Sequence, residues 1–131
     1  MFRKLFLIVM LCVFVSACTG KRENVAAFSQ VVREMGYIDA EETPAEIVKF
    51  TIPETFDAVY ERYNALQKEG GFDLSLYKGK LCTRYTYHIP SANARANIIV
   101  HNGDIIGGDI SSITIDGIMI PIQKEKAAEK H

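Results

Sequence analysis

The sequence predicts an α+β fold: a mainly antiparallel sheet of four to five strands with two helices packed on one face, in the order α-β-α-β-β-β. Three observations carry it. Ala96–Ile110 holds two apolar runs, Ile98-Ile99-Val100 and Ile105-Ile106, around Asn102-Gly103, and Asn-Gly favours a two-residue type I′ turn because both central residues need positive φ. Lys80–Ile89 alternates with period two. Two earlier stretches repeat their apolar residues at helical spacing.

The hairpin is the centre of the prediction. A two-residue loop pairs His101 with Asp104, Val100 with Ile105 and Ile99 with Ile106. Consecutive Ile and Val put apolar side chains on both faces of the pleat, so this ribbon belongs inside the sheet.

The first predicted helix runs from an Asn24 cap through Val25, Phe28, Val32 and Met35, with Gly36 as its left-handed stop. Asp39–Pro44 is an acidic loop. Glu46–Ile52 is a strand, with Val48, Phe50 and Ile52 on one side. Pro53 opens the second predicted helix, with Glu54 and Asp57 in its first turn and an apolar stripe of Phe56, Val59, Tyr60, Tyr63 and Leu66. Gly70-Gly71 ends it, and Phe72–Gly79 connects to the amphipathic strand. In that strand Leu81, Thr83, Tyr85, Tyr87 and Ile89 share one face, and Lys80, Cys82, Arg84, Thr86 and His88 the other. Pro90–Arg95 is a loop. After the hairpin come Ile113–Ile115, a second turn signal at Asp116-Gly117, and an apolar end, Ile118–Ile122.

The first 17 residues read as a targeting segment. Arg3 and Lys4 are followed by the apolar Leu5–Val15 and then by Val15-Ser16-Ala17-Cys18, the pattern of a bacterial lipobox. Small residues at 16 and 17 admit a signal peptidase, which cuts between Ala17 and Cys18, and the Cys18 thiol carries a diacylglycerol. Leu5–Ala17 is too short to span a bilayer, which takes about 20 apolar residues. The expected organisation is a signal peptide at 1–17, a lipidated cysteine and tether at 18–24, one α+β domain at 25–122 and a flexible polar tail at 123–131. The expected location is extracytoplasmic, lipid-anchored to the cell membrane; two or three acyl chains hold firmly where one does not.

Removing 17 of the 131 residues leaves 114, enough for one small domain with a core. Arg3 and Lys4 leave with the signal, so 13 basic side chains face 16 acidic ones, a net charge of −3. That balance gives no basic face for nucleic acid. Cys82 is the one thiol left after Cys12 is removed and Cys18 acylated, so no internal disulfide, CxxC pair or thiolate zinc site forms. It reads as a half-buried strand residue.

The polar residues near the hairpin form a thin set: Arg84, His101, Asp104 and Asp109, with His88 and Asp116 nearby. They are weak binding candidates. His101 and Asp104 face each other across the turn, but Asp beside such turns usually bonds its own backbone. Asp104, Asp109 and Asp116 do not match the alternate-position spacing of a calcium loop. Gly103-x-x-x-Gly107-Gly108 lacks the ending of a phosphate loop and no helix follows it; the glycines fit a bulge or a close crossing. Ser111 and Ser112 have no base. Arg84 could meet a partner strand or cell-wall carboxylates if its face is open. No catalytic residue, metal or cofactor is assigned.

The ordered set Gly36-Tyr37, Ile52-Pro53 with Phe56, Tyr63-Asn64 with Gln67, Gly71-Phe72-Asp73-Leu74, Tyr77-Lys78-Gly79-Lys80, Arg84-Tyr85-Thr86-Tyr87 and Gly107-Gly108-Asp109-Ile110 resembles the domain of unknown function 4830 family. Its members are found mainly in Firmicutes, often as predicted lipoproteins. The resemblance runs over nearly all of the mature chain and implies a small envelope lipoprotein domain, without activity, cofactor or catalytic residues. The expectation is therefore a membrane-anchored lipoprotein with a non-enzymatic binding or accessory role toward an envelope protein or cell-wall component. One alternative is a small metal-assisted enzyme using His101, Asp104 and Asp109; another is an inhibitor or partner-binding module using a sheet edge.

Overall fold

The computed structural model describes residues 24–114 and 117–128. The Ala17–Cys18 site, the side chain of Asn24 that was expected to cap the first helix, and Asp116 of the second turn signal lie outside the described residues. The elements are α1 (Asn24–Glu34), β1 (Glu46–Thr51), α2 (Ala58–Glu69), a 3₁₀ turn (Leu74–Tyr77), β2 (Leu81–Ile89), β3 (Ala94–His101), β4 (Asp104–Ser112), β5 (Met119–Pro121) and α3 (Lys124–Ala128). No helix among the described residues is long and apolar enough to cross a membrane.

The five strands form one antiparallel meander in the order β1-β2-β3-β4-β5. The predicted hairpin is β3–β4, with β3 central. Asn102 and Gly103 have φ of 50° and 82°, the left-handed pair that a two-residue turn demands. His101 pairs with Asp104 and Val100 with Ile105, as the loop length dictates. The next pair differs. The register shifts between Ile99 and Val100, so Ile99 lies opposite Gly107 and not Ile106. Ile106 is the extra residue of a β-bulge, and it buries with Ile99 in one cluster. From there on, every residue of β4 faces the opposite way to the bulge-free reading.

The two helices do not share a face, which corrects the predicted packing. On one side of the sheet α1 lays Phe28, Val31 and Val32 on Tyr87, Ile89, Ala96, Ile98, Val100 and Ile110. Phe28 and Tyr85 meet at 5.1 Å between ring centres, and the buried Tyr87 hydroxyl donates to the Val25 carbonyl at 2.6 Å. On the other side α2 and the 3₁₀ turn, which contributes Leu74, lie over Ile52, Cys82, Ile99 and Ile106. The apolar runs of the hairpin explain this. Ile98 and Ile99 point to opposite faces, so each face of the sheet needs its own cover.

α2 begins later than Pro53. Asp57 is its N-cap, its Oδ1 accepting from the Tyr60 N–H at 2.8 Å. The helix is also rolled relative to the predicted stripe: Val59 is 70% exposed, while the fully buried residues are Asn64 and Gln67. The polar tail expected from Gln123 starts instead as α3. Its Lys124 N–H donates to the Gly70 carbonyl at 2.8 Å, and Ala127 buries in the α1 cluster beside Ile122.

Gly108 lies where β4 passes tightly against β3. It has φ of 149°, and a Cβ there would stand 2.2 Å from the Asn97 carbonyl oxygen. Gly108→Ala should therefore cost about 3 kcal/mol, and Gly103→Ala, with no atom within 4 Å, only about 1 kcal/mol for its positive φ. Urea unfolding midpoints, read with an unchanged slope, check the difference.

Candidate functional site

The register after the bulge sets the site. Arg84 of β2, Asn97 of β3 and Asp109 of β4 share the face under α2, and Asn97 stands between Thr86 and Asp109. α2 roofs one side of this strip with Tyr60 and Tyr63. Between helix and sheet opens a groove of about 520 Å³, lined by apolar side chains of Val48, Phe50, Val59, Leu74, Ile99 and Met119 and floored by Arg84, Asn97 and Asp109. Its size and makeup are those of small-molecule sites, mostly apolar with a few convergent polar groups.

Asp109 is 3% exposed and fully committed. Its Oδ2 accepts from the Tyr63 hydroxyl at 2.6 Å; its Oδ1 accepts from Asn97 Nδ2 at 3.1 Å and from Ser111 Oγ at 2.5 Å. Thr86 Oγ1 donates to Asn97 Oδ1 at 2.8 Å, which fixes the amide's orientation. Burial first, then the charge and hydrogen bond of Asp109, push the Tyr63 hydroxyl far above its ordinary pKa. Tyr60 is raised too, by burial and then by Asp57. The Arg84 charge opposes both shifts, so its guanidinium is felt by both tyrosines across the groove.

Arg84 is poorly partnered. Its Nη2 lies 3.7 Å from Glu46 Oε1, a long contact on a side chain 40% exposed, and its buried Nε has no acceptor among the described residues. Pairs of that length near solvent contribute little.

A second polar network holds α2 in place. Gln67 Oε1 accepts from the Gly108 N–H at 2.7 Å, and a Cβ on Gly107 would come within 2.8 Å of that oxygen. Asn64 Oδ1 accepts from the Leu74 N–H at 2.7 Å, and its Nδ2 donates to Asp73 Oδ1 at 2.9 Å. Asp73 also takes the Ser75 hydroxyl at 2.6 Å and backbone N–H at 2.9 Å. These bonds, led by the Ser75 hydroxyl and Asn64, hold the Asp73 carboxyl down at about 2, from the ordinary 3.8.

The predicted site residues separate. Arg84 and Asp109 meet in the groove. His101 and Asp104 sit at the hairpin tip, where the His101 Nδ1 donates to the Leu81 carbonyl at 3.0 Å and its ring stands edge-on to Tyr77. The triad His101, Asp104 and Asp109 is therefore not one constellation. Among the described residues no group of three or more His, Cys, Asp or Glu side chains could hold a metal ion. Cys82, expected half-buried, is 2% exposed among Ile52, Leu74, Ile99 and Ile106, and burial raises its thiol pKa.

Sequence reasoning passed over Tyr60, Tyr63, Asn97 and Met119 as site residues. For Asn97 a signal existed: a polar side chain inside ANIIV, at the same parity as Ile99 and opposite to Ile98. Tyr63 read as core because nothing local shows that a buried carboxylate awaits its hydroxyl. The family model described as "Domain of unknown function (DUF4830)" matches residues 33–110, from within α1 into β4. No curated protein and no solved structure matches the chain.

Two outcomes follow from the networks. Tyr63→Phe should lower stability by about 2 kcal/mol, because Asp109 Oδ2 loses its donor in a buried setting; chemical denaturation measures it. Asp73 binds its proton more weakly folded than unfolded, so its contribution is complete above pH 3.8 and disappears as pH falls toward 2. Asp73→Asn should flatten the stability profile across that window, read by denaturant midpoints at stepped pH.

Proposed function

We propose, for a chain that belongs to the DUF4830 family, a lipid-anchored binding module of the cell envelope, acylated at Cys18 and non-enzymatic, whose binding site is the groove between α2 and the sheet. The groove is the observation that carries the reading: a mostly apolar cleft of ligand size with Arg84 and Asp109 on its floor. The inward polar groups suit a fixed floor and not proton transfer. Asp109 is held by three donors and Tyr63 keeps its proton. The anchor is supported by Val15-Ser16-Ala17-Cys18 after a short apolar segment. The polar stretch 19–24 reaches at most about 20 Å, which keeps the groove near the membrane surface.

Cys18→Ala in the full chain should release the protein to the medium or leave an unprocessed precursor, as read by fractionation and intact mass. A processed Cys18→Ala form retained in the membrane defeats the anchor. For the groove, the mature protein in lipid nanodiscs should bind the neutral probe 4-phenyl-1-butanol in saturation-transfer NMR, and Val59→Glu at the mouth should abolish that signal. Equal signals from both proteins defeat the groove as the site.

A further inference from the structure

We infer that the groove selects a small amphiphilic carboxylate, its apolar body against Val48, Phe50, Tyr60 and Met119 and its carboxylate on Arg84; this rests on the groove being the binding site. Charge and geometry both point this way. Arg84 is the cation among the groove's lining residues. A guanidinium presents a planar fork that two carboxylate oxygens match. Among the described residues that fork is unmet: Nε has no acceptor, and Nη2 has Glu46 at 3.7 Å. The negative charge of Asp109 is spread over three donors on the opposite side of the floor, so it does not neutralise Arg84 directly.

Glu46 behaves as a placeholder. It lies on the edge strand β1, its side chain is 55% exposed, and it offers one carboxylate oxygen to Arg84 at long range. A ligand carboxylate that turns the guanidinium fork toward itself replaces this contact with two short charge-assisted bonds. Losing the exposed pair costs little, and excluding water in the groove strengthens what replaces it. The built-in acid is thus a competitor, and removing it favours the ligand.

Binding is measured on the mature protein in nanodiscs with 4-phenylbutyrate, 4-phenyl-1-butanol and 4-phenylbutylamine, which share one apolar body. The carboxylate should bind about tenfold more tightly than the alcohol, and the amine more weakly than either. Arg84→Gln should bring carboxylate and alcohol to equal affinity, with an unchanged urea midpoint showing that the variant is folded. Arg84→Lys should recover part of the preference. Glu46→Gln should tighten carboxylate binding by about threefold without changing the alcohol. Octanoate and N-acetyl-Phe-Leu, each against its amide, distinguish an acyl chain from a peptide C-terminus as the source of the carboxylate. Equal binding of carboxylate and alcohol to the wild type overturns the selectivity and leaves the groove standing. Absence of binding by all three probes overturns both.

Discussion

The hydrogen bond from the Gly108 N–H to Gln67 Oε1 decides where α2 sits, and most of the groove follows from it. Both partners are buried, so an unmatched N–H there would cost the desolvation of a peptide group. The approach is possible because Gly107 and Gly108 have no side chains: Cβ atoms would collide with Gln67 on one side and with the Asn97 carbonyl on the other. With Gln67 seated, Asn64 reaches the 3₁₀ turn and Tyr63 reaches Asp109. Tyr60, one helical turn earlier, then overhangs the sheet and makes the groove wall.

The bulge is the other half of the arrangement. Without it, Asp109 would lie beside Ala96, on the face covered by Phe28 and Val32, where a carboxylate has no donor. With it, Asp109 stands opposite Asn97 and under Tyr63, and Ile110 takes the place beside Ala96. One extra residue in β4 therefore satisfies an apolar face and a polar face together. The resemblance motifs Tyr63-Asn64 with Gln67, Gly71-Phe72-Asp73-Leu74 and Gly107-Gly108-Asp109-Ile110 converge on this junction, which gives them a structural account: they dock a helix onto a glycine seam.

Burying two amides on α2 in place of its tyrosines also shapes the surface. Val59 and the half-buried Tyr60 are left at the edge of the helix, and Met119 of the short strand β5 faces them across the cleft. The apolar lining of the groove is thus surface that the core did not absorb. Such surface is stable beside a polar floor whose hydrogen bonds are made internally, and it is available to a ligand.

The strands, the Asn102-Gly103 turn, the stop at Gly36 and the end at Gly70-Gly71 were all legible in the sequence, because each depends on neighbours a few residues away: alternation, positive φ and helical spacing. So was the central place of the hairpin, since Ile98, Ile99 and Val100 cannot all be covered at an edge. Three things were not legible. The side of the sheet each helix covers, the exact place of the register slip at Ile99, which Gly107-Gly108 signalled only as a bulge or a close crossing, and the burial of Asn64 and Gln67 all depend on atoms distant in the chain. The polar stretch after Gln123 likewise turns into a helix because Lys124 finds the Gly70 carbonyl. Local propensity and pattern are properties of a segment, and the sequence by itself determined those; a register choice and a buried hydrogen bond are properties of a pair of segments, and only the tertiary structure, by bringing the partners together, decided them.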